Sequence, residues 1–168
     1  MSNILMPSFD EVRHKIEKAL RLLYKNDLFL ITNTTNERSI THKLAEYIQI
    51  LFPEWHVDCE YNRKGEDIKR LYSIDECSEQ RKTNRIIPDI IIHHRCMHNN
   101  LLVIETKVKN KSDNDDICDR KKLQLLTQKD GEYGYEWGLY IQFHHNEENK
   151  IKKTLTWYAN GDQLNENV

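Results

Sequence analysis

Two short apolar runs near the middle of the chain constrain its fold more than any other feature. They are IIPDIIIHH over residues 86–94 and NLLVIETKV over residues 100–108, with a turn-like polar stretch near residues 96–100. Apolar runs of this length predict two central strands that pair as an antiparallel hairpin. The second strand carries Glu105 and Lys107, and because side chains alternate along a strand, both charges are expected on one face.

The segments around the hairpin predict the rest of one α/β domain. Apolar residues spaced by three and four positions predict helices, while alternating patterns predict strands. The predicted elements are an N-terminal helix over about 8–25, a helix over 36–52, a strand over 55–61, a helix over 116–129, and strands over 138–143 and 151–158. We therefore expect a single domain with a central mixed β-sheet of four to five strands flanked by α-helices.

The composition agrees with one domain and indicates in which compartment the protein is found. The chain has 168 residues, a size that suits a single core, with 38% hydrophobic and 31% charged residues. It has no apolar run of the roughly 18 residues that a membrane span requires, and no signal-peptide pattern at its start. The four cysteines fall singly, as is typical of reduced thiols. We expect a cytoplasmic protein that does not use a membrane and has no disulfides.

A cluster of charges is expected at one end of the hairpin. Asp89 follows Pro88, and a turn near residues 96–100 brings Asp89 close to Glu105 and Lys107. Burying such charges is costly unless they are paired or bind a metal. Hard divalent ions such as Mg²⁺ bind one or two carboxylates and activate a water, and a nearby lysine can orient that water. The cluster predicts phosphodiester hydrolysis, with Asp89 and Glu105 as metal ligands and Lys107 as their catalytic partner.

The string Pro88-Asp89, fifteen residues, then Glu105-Thr106-Lys107 resembles the signature of the PD-(D/E)XK nuclease superfamily. The order of predicted elements over about residues 36–143 is similar to the core of that family. The resemblance implies a restriction-endonuclease-like core and a nuclease that depends on Mg²⁺ or Mn²⁺. It also implies nucleic acid as the substrate, with DNA preferred to RNA.

Further site residues are implied by the same resemblance. Family members often add a glutamate from the helix before the first strand as a metal ligand, and Glu37 is the matching position. Many also place a basic or amide residue in the helix after the motif lysine, where Lys121, Lys122, Gln124 and Gln128 are the candidates. Glu37 also lies on the helix face expected to pack on the sheet, although an acid in a first helical turn is favoured by the helix dipole alone.

Other polar residues admit both a functional and an ordinary interpretation. Glu60 lies on the polar face of the strand over 55–61 and would either extend the acidic site or face solvent. A net charge of −2 gives no long-range attraction for nucleic acid, so contacts with its backbone must come from local groups. Arg63, Lys64 and Arg85 are the candidates, in a charged stretch that is also typical of a solvated loop.

Three alternatives remain open at the level of sequence. Histidines and a cysteine over residues 93–98 are zinc-type ligands, but their spacing is not that of a zinc site, so we expect them to decorate a turn. The cluster of Asp89, Glu105 and Lys107 could be a structural ion-pair network. The chain could also be a catalytically silent nucleic-acid-binding or regulatory module. If it does cut duplex DNA, one site per chain predicts a homodimer.

Overall fold

The computed structural model describes residues 5–33, 36–60, 63–64, 67–68, 87–108, 116–145 and 150–165. Four helices are described: α1 (Phe9–Asn26), α2 (Leu28–Thr32), α3 (Glu37–Leu51) and α4 (Asp116–Leu126). Eight strands are described: β1 (His56–Cys59), β2 (Arg63–Lys64), β3 (Asp67–Ile68), β4 (Ile90–His93), β5 (Asn100–Val108), β6 (Trp137–His145), β7 (Ile151–Ala159) and β8 (Asp162–Gln163).

The main sheet is mixed and has six strands in the order β1-β4-β5-β6-β7-β8, while β2 and β3 form a separate two-stranded hairpin. The predicted antiparallel pairing of β4 with β5 is present, and β5 pairs in parallel with β6 across the α4 connection. The domain is thus α/β with a mixed sheet flanked by helices. The expected four to five strands fall short of the six observed.

The sixth strand, β8, was missed because two residues are too few to show alternation. It folds back on β7 through Asn160 and Gly161, whose φ angles of 52° and 85° are both positive. Consecutive positive φ angles suit a tight hairpin turn, and Asn-Gly is a strong sequence signal for one. The signal was therefore present in the sequence, although the strand itself left no pattern.

The two faces of the sheet are covered unequally. The buried stripes of α1 and α3 pack on one face, against alternate residues such as Ile104 of β5 and Ile141 of β6. The other face, with Val103 and Tyr140, is covered by Leu123 and Leu126 of α4. Residues 105 and 107 of β5 continue the Val103 row, so they lie on the α4 face.

The ends of several elements differ from the sequence prediction. Strand β1 ends at Cys59 because Glu60 has a positive φ of 50°, which interrupts extended backbone. Helix α4 ends at Leu126, three residues before the predicted end. Within the described residues, no helix is long and apolar enough to cross a membrane.

The expectation of reduced thiols is wrong for one cysteine. Cys118 in α4 is disulfide-bonded, whereas Cys59 and Cys96 are free thiols. Isolated spacing along the sequence does not report which cysteines meet in space, which is why the pattern misled. The cysteine argument for a reducing compartment accordingly no longer holds.

A close approach between α4 and the sheet occurs at Gly138 and can be tested. A Cβ atom there would lie 3.0 Å from Thr127 Cγ2 and 3.3 Å from Tyr158 Cβ. We expect Gly138→Ala to lower the free energy of unfolding by about 1–3 kcal/mol, measured by urea denaturation, because α4 must move away. Adding Thr127→Ser removes the nearest methyl group, retains the hydroxyl, and should recover part of the loss. Wild-type stability in Gly138→Ala alone would show that the approach is not tight.

Candidate metal and catalytic site

The site lies where β5 extends beyond its neighbour β4. The last pair in their register is Ile90 with Ile104, so later backbone N–H groups of β5 have no strand partner on that side. Two carboxylates accept them instead: Thr106 N donates to Asp89 Oδ2 at 2.7 Å, and Val108 N donates to Glu37 Oε2 at 3.2 Å. Because unpaired N–H groups are costly, Asp89 and Glu37 are held at this end of β5.

Asp89 is fixed from several directions. Its backbone carbonyl accepts a hydrogen bond from Glu60 N at 3.1 Å, which joins it to the end of β1. Its Oδ2 also accepts from the Thr106 hydroxyl at 2.9 Å. The Thr106 Oγ1 lies 2.8 Å from Thr41 Oγ1, and the single proton of the Thr41 hydroxyl is directed either to Thr106 or to the Glu37 carbonyl oxygen at 3.0 Å. This hydroxyl pair connects the strand of Thr106 to the helix that carries Glu37.

Sequence reasoning missed both threonines. Thr41 lies in the buried stripe of α3, and Thr106 lies on the otherwise apolar α1–α3 face of β5. A hydroxyl among apolar side chains requires a hydrogen-bond partner, so these positions did carry a signal. The signal did not say that the two would meet each other, because they are 65 residues apart.

Glu105 lies on the α4 face and is almost fully buried, with 3% exposure. Its Oε1 atom is 2.8 Å from Lys122 Nζ, and Lys122 Nζ is also 3.3 Å from Asp119 Oδ1. The contact with Glu105 is that of a close ion pair, since Oε1 has no aligned hydrogen-bond donor. Helix α4 thus brings one lysine and one further carboxylate to the site, and Asp119 was not predicted.

Burial and crowding raise the pKa values of all three predicted carboxylate ligands. Burial raises the pKa of Glu105 well above its usual range, and Lys122 opposes this while Asp89 and Asp119 add to it. Burial also raises the pKa of Asp89 against the Thr106 hydrogen bonds, and that of Glu37 against Val108 N and Lys107. The negative charges of Asp89 and Asp119 contribute to the raised pKa values of both Glu37 and Glu105.

The two lysines of the site occupy different positions. Burial alone lowers the pKa of Lys122, but the attraction of Glu105, Asp119 and Asp89 outweighs it and raises the pKa overall. Lys107 is partly buried at the next α4-facing position of β5, where its charge lowers the pKa of Glu37. Asp89, Glu105, Glu37, Lys107 and Lys122 are therefore gathered at one end of the sheet.

The carboxylates at this end of β5 are oxygen donors of the type that a divalent cation takes. Among the described residues no three His, Cys, Asp or Glu side chains are already arranged around a metal position. Each carboxylate instead holds a protein donor: a backbone N–H at Asp89 and at Glu37, and the Lys122 ammonium at Glu105. The Lys122 ammonium supplies the positive charge that buried Glu105 needs when it is ionised. Carboxylate oxygens are the donors that Mg²⁺ and Mn²⁺ prefer.

Other candidate residues lie elsewhere. Glu60 adjoins Asp89 through its backbone, but its exposed carboxylate is 3.0 Å from Arg38 Nε. Gln128 follows the end of α4 and lies beside Gly161 in the β7–β8 turn, at the opposite end of the sheet. Arg63 and Lys64 form β2, which pairs with β3 outside the main sheet. Arg85 lies outside the described residues.

The histidine segment is a structural network and not a surface decoration. His93 is buried and lies 2.8 Å from Asp58, which Arg95 also contacts through two nitrogens. Burial raises the pKa of Asp58, but the bonds from Arg95 and His93 outweigh it and hold the pKa below its usual range. His94 is also buried, and its Nε2 bonds the carbonyl of Glu54. The expectation that residues 93–98 merely decorate a turn is wrong for these two histidines.

Comparisons with known proteins leave the geometry as the basis for a functional argument. No known protein-family model matches this chain, and no curated protein is significantly similar to it.

The hydroxyl of Thr106 offers a direct test of how Asp89 is held. Thr106→Val keeps the shape and the backbone bond to Asp89 but removes the hydroxyl that joins Asp89 to Thr41. We expect a loss of about 1–3 kcal/mol in the free energy of unfolding, because buried polar groups lose a partner. Thr106→Ser retains the hydroxyl and is the matched control. Equal stability of the serine and valine variants would show that the Thr106 hydroxyl does not help to hold Asp89.

The raised carboxylate pKa values predict an unusual pH dependence for metal-free protein. A carboxyl whose pKa is raised by folding contributes stability below its unfolded pKa, and loses it as pH rises through the folded value. In EDTA we therefore expect stability to fall more in wild type than in Glu105→Gln as pH rises above the usual glutamate pKa of about 4.3. Urea denaturation at each pH measures this difference. Parallel pH profiles would show that Glu105 does not titrate abnormally.

Proposed function

We propose that this chain is a metal-dependent nuclease of the PD-(D/E)XK type, with a restriction-endonuclease-like core. The observation that carries the proposal is the placing of Asp89, Glu37, Glu105 and Lys107 at the same end of β5. A structural ion pair accounts for Glu105 and Lys122. It does not account for a second lysine, Lys107, beside two further carboxylates that already accept backbone N–H groups of β5.

The proposed roles follow from the environment of each side chain. Bound Mg²⁺ or Mn²⁺ would polarise the scissile phosphate and lower the pKa of a water. Asp89 and Glu105 would hold the cation, with Glu37, the first residue of α3, as a third ligand. Lys107 orients the attacking water and offsets charge that develops on the phosphate. Lys122 supplies a second positive charge from α4.

The substrate in this proposal is nucleic acid, with DNA preferred to RNA as the family resemblance implies. One site per chain cuts one strand, so cleavage of duplex DNA calls for a homodimer. Arg63, Lys64 and Arg85 remain proposed contacts for the nucleic-acid backbone. Charged groups of this kind would make binding weaken as salt is raised.

One observation favours a second candidate, a catalytically silent binding or regulatory module. The Lys122 ammonium already neutralises Glu105 at 2.8 Å, so the buried carboxylate has a positive partner without a metal. In that case the carboxylates would stabilise the sheet end, and nucleic acid would bind without being cut. Metal binding and cleavage separate the two candidates.

The test is a cleavage assay with supercoiled plasmid, linear duplex, single-stranded DNA and RNA, each with Mg²⁺, Mn²⁺ or EDTA. We expect cleavage with metal, and a rate loss of roughly 10²–10⁴-fold in Lys107→Met, because proton transfer and charge compensation are lost. Asp89→Asn should lose at least as much. Lys129→Met, at an exposed position beyond the end of α4, is the matched control and should cut like wild type.

The outcomes of this assay are distinct. Cleavage that persists in both Lys107→Met and Asp89→Asn would point to a contaminating nuclease and refute the assignment. Calorimetric Mn²⁺ binding without cleavage of any substrate would show a metal site whose substrate or activating partner is missing. Neither cleavage nor Mn²⁺ binding would refute the metal site, and nucleic-acid binding in that case would favour the silent module.

A further inference from the structure

The ammonium of Lys122 lies between two carboxylates of very different exposure. It is 2.8 Å from Glu105 Oε1, whose side chain is 3% exposed, and 3.3 Å from Asp119 Oδ1, whose side chain is 23% exposed. Asp119 precedes Lys122 by three residues, so the two are neighbours on the surface of α4. A small rotation of the lysine would move its charge from the buried partner to the solvent-facing one.

A divalent cation and the Lys122 ammonium compete for the same oxygen. Like charges a few ångströms apart repel strongly in a buried, low-dielectric site. A cation bound to Glu105 therefore requires the ammonium to leave Oε1. If the lysine left for water with no partner, the exchange would cost its present ion pair, and metal binding would be weaker by that amount.

We propose that the Lys122 ammonium pairs mainly with Glu105 in the metal-free protein and with Asp119 alone when a divalent cation binds Glu105. Asp119 is then a positioning residue that receives the displaced ammonium and keeps it at the mouth of the site. The inference rests on the proposed metal site but concerns how that site exchanges one cation for another.

The test is calorimetric titration with Mn²⁺, which needs no substrate or activity. Lys122→Met removes the competitor, and we expect Mn²⁺ to bind roughly tenfold more tightly, within the usual range of coupling between sites. Asp119→Asn removes the receiving carboxylate, and we expect roughly tenfold weaker binding. Lys121→Met, with the same change of charge on the adjacent residue, is the matched control.

The double variant Asp119→Asn with Lys122→Met isolates the positioning role. Without the lysine there is no ammonium to receive, so Asp119→Asn should change the affinity far less in this background than in wild type. Lys122→Arg retains the charge and should bind Mn²⁺ much as wild type does. Lys122→Gln serves as a second neutral variant if the methionine variant does not fold.

Two results would overturn the inference while leaving the proposed function intact. An equal loss from Asp119→Asn with and without Lys122 would show that Asp119 acts on the metal directly. An affinity in Lys122→Met and Lys122→Gln no tighter than in Lys121→Met would show that the lysine does not compete. Absence of Mn²⁺ binding in wild type and every variant would refute the metal site itself, and this inference with it.

Discussion

The unequal lengths of β4 and β5 are the constraint on which the site depends. Strand β5 continues past its last pair with β4, and its next two N–H groups on that side need acceptors. Asp89, at the entry to β4, and Glu37, at the start of α3, provide them. A carboxylate is a strong acceptor for a backbone N–H, so the sheet end is stabilised by groups that also attract cations. The position of the acidic cluster is therefore a consequence of sheet geometry.

The two faces of β5 divide the remaining tasks. On the α1–α3 face, Thr106 is buried and its hydroxyl fixes Asp89 through a short chain of hydrogen bonds. On the α4 face, Glu105 is buried beneath a helix that carries both Lys122 and Asp119. Hydrogen bonds on the α1–α3 face thus fix the position of Asp89, while Lys122 and Asp119 on the α4 face set the charge around Glu105. Because Glu105 is so deeply buried, it needs a positive partner in any state in which it is ionised.

Much of this arrangement was predictable from local patterns. The apolar runs gave the central hairpin, and strand alternation gave the shared face of Glu105 and Lys107. The turn between the strands placed Asp89 beside them. Local patterns failed where an element was too short, as in β8, or where a contact joined distant segments. The partnership of Thr41 with Thr106, the arrival of Asp119, and the disulfide of Cys118 depend on tertiary packing, which periodicity does not encode.

The separation in sequence between the site's partners has a consequence for synthesis of the chain. Glu37 meets Val108 across 71 residues, and α4 must fold onto the sheet after that. Contacts of such long range form late, because closing a long loop costs entropy before any contact repays it. A chain still emerging from the ribosome already contains Glu37 and Asp89, but the end of β5 that positions them has not yet formed. Any activity that the site supports is therefore withheld until α4 has been made and has packed on the sheet.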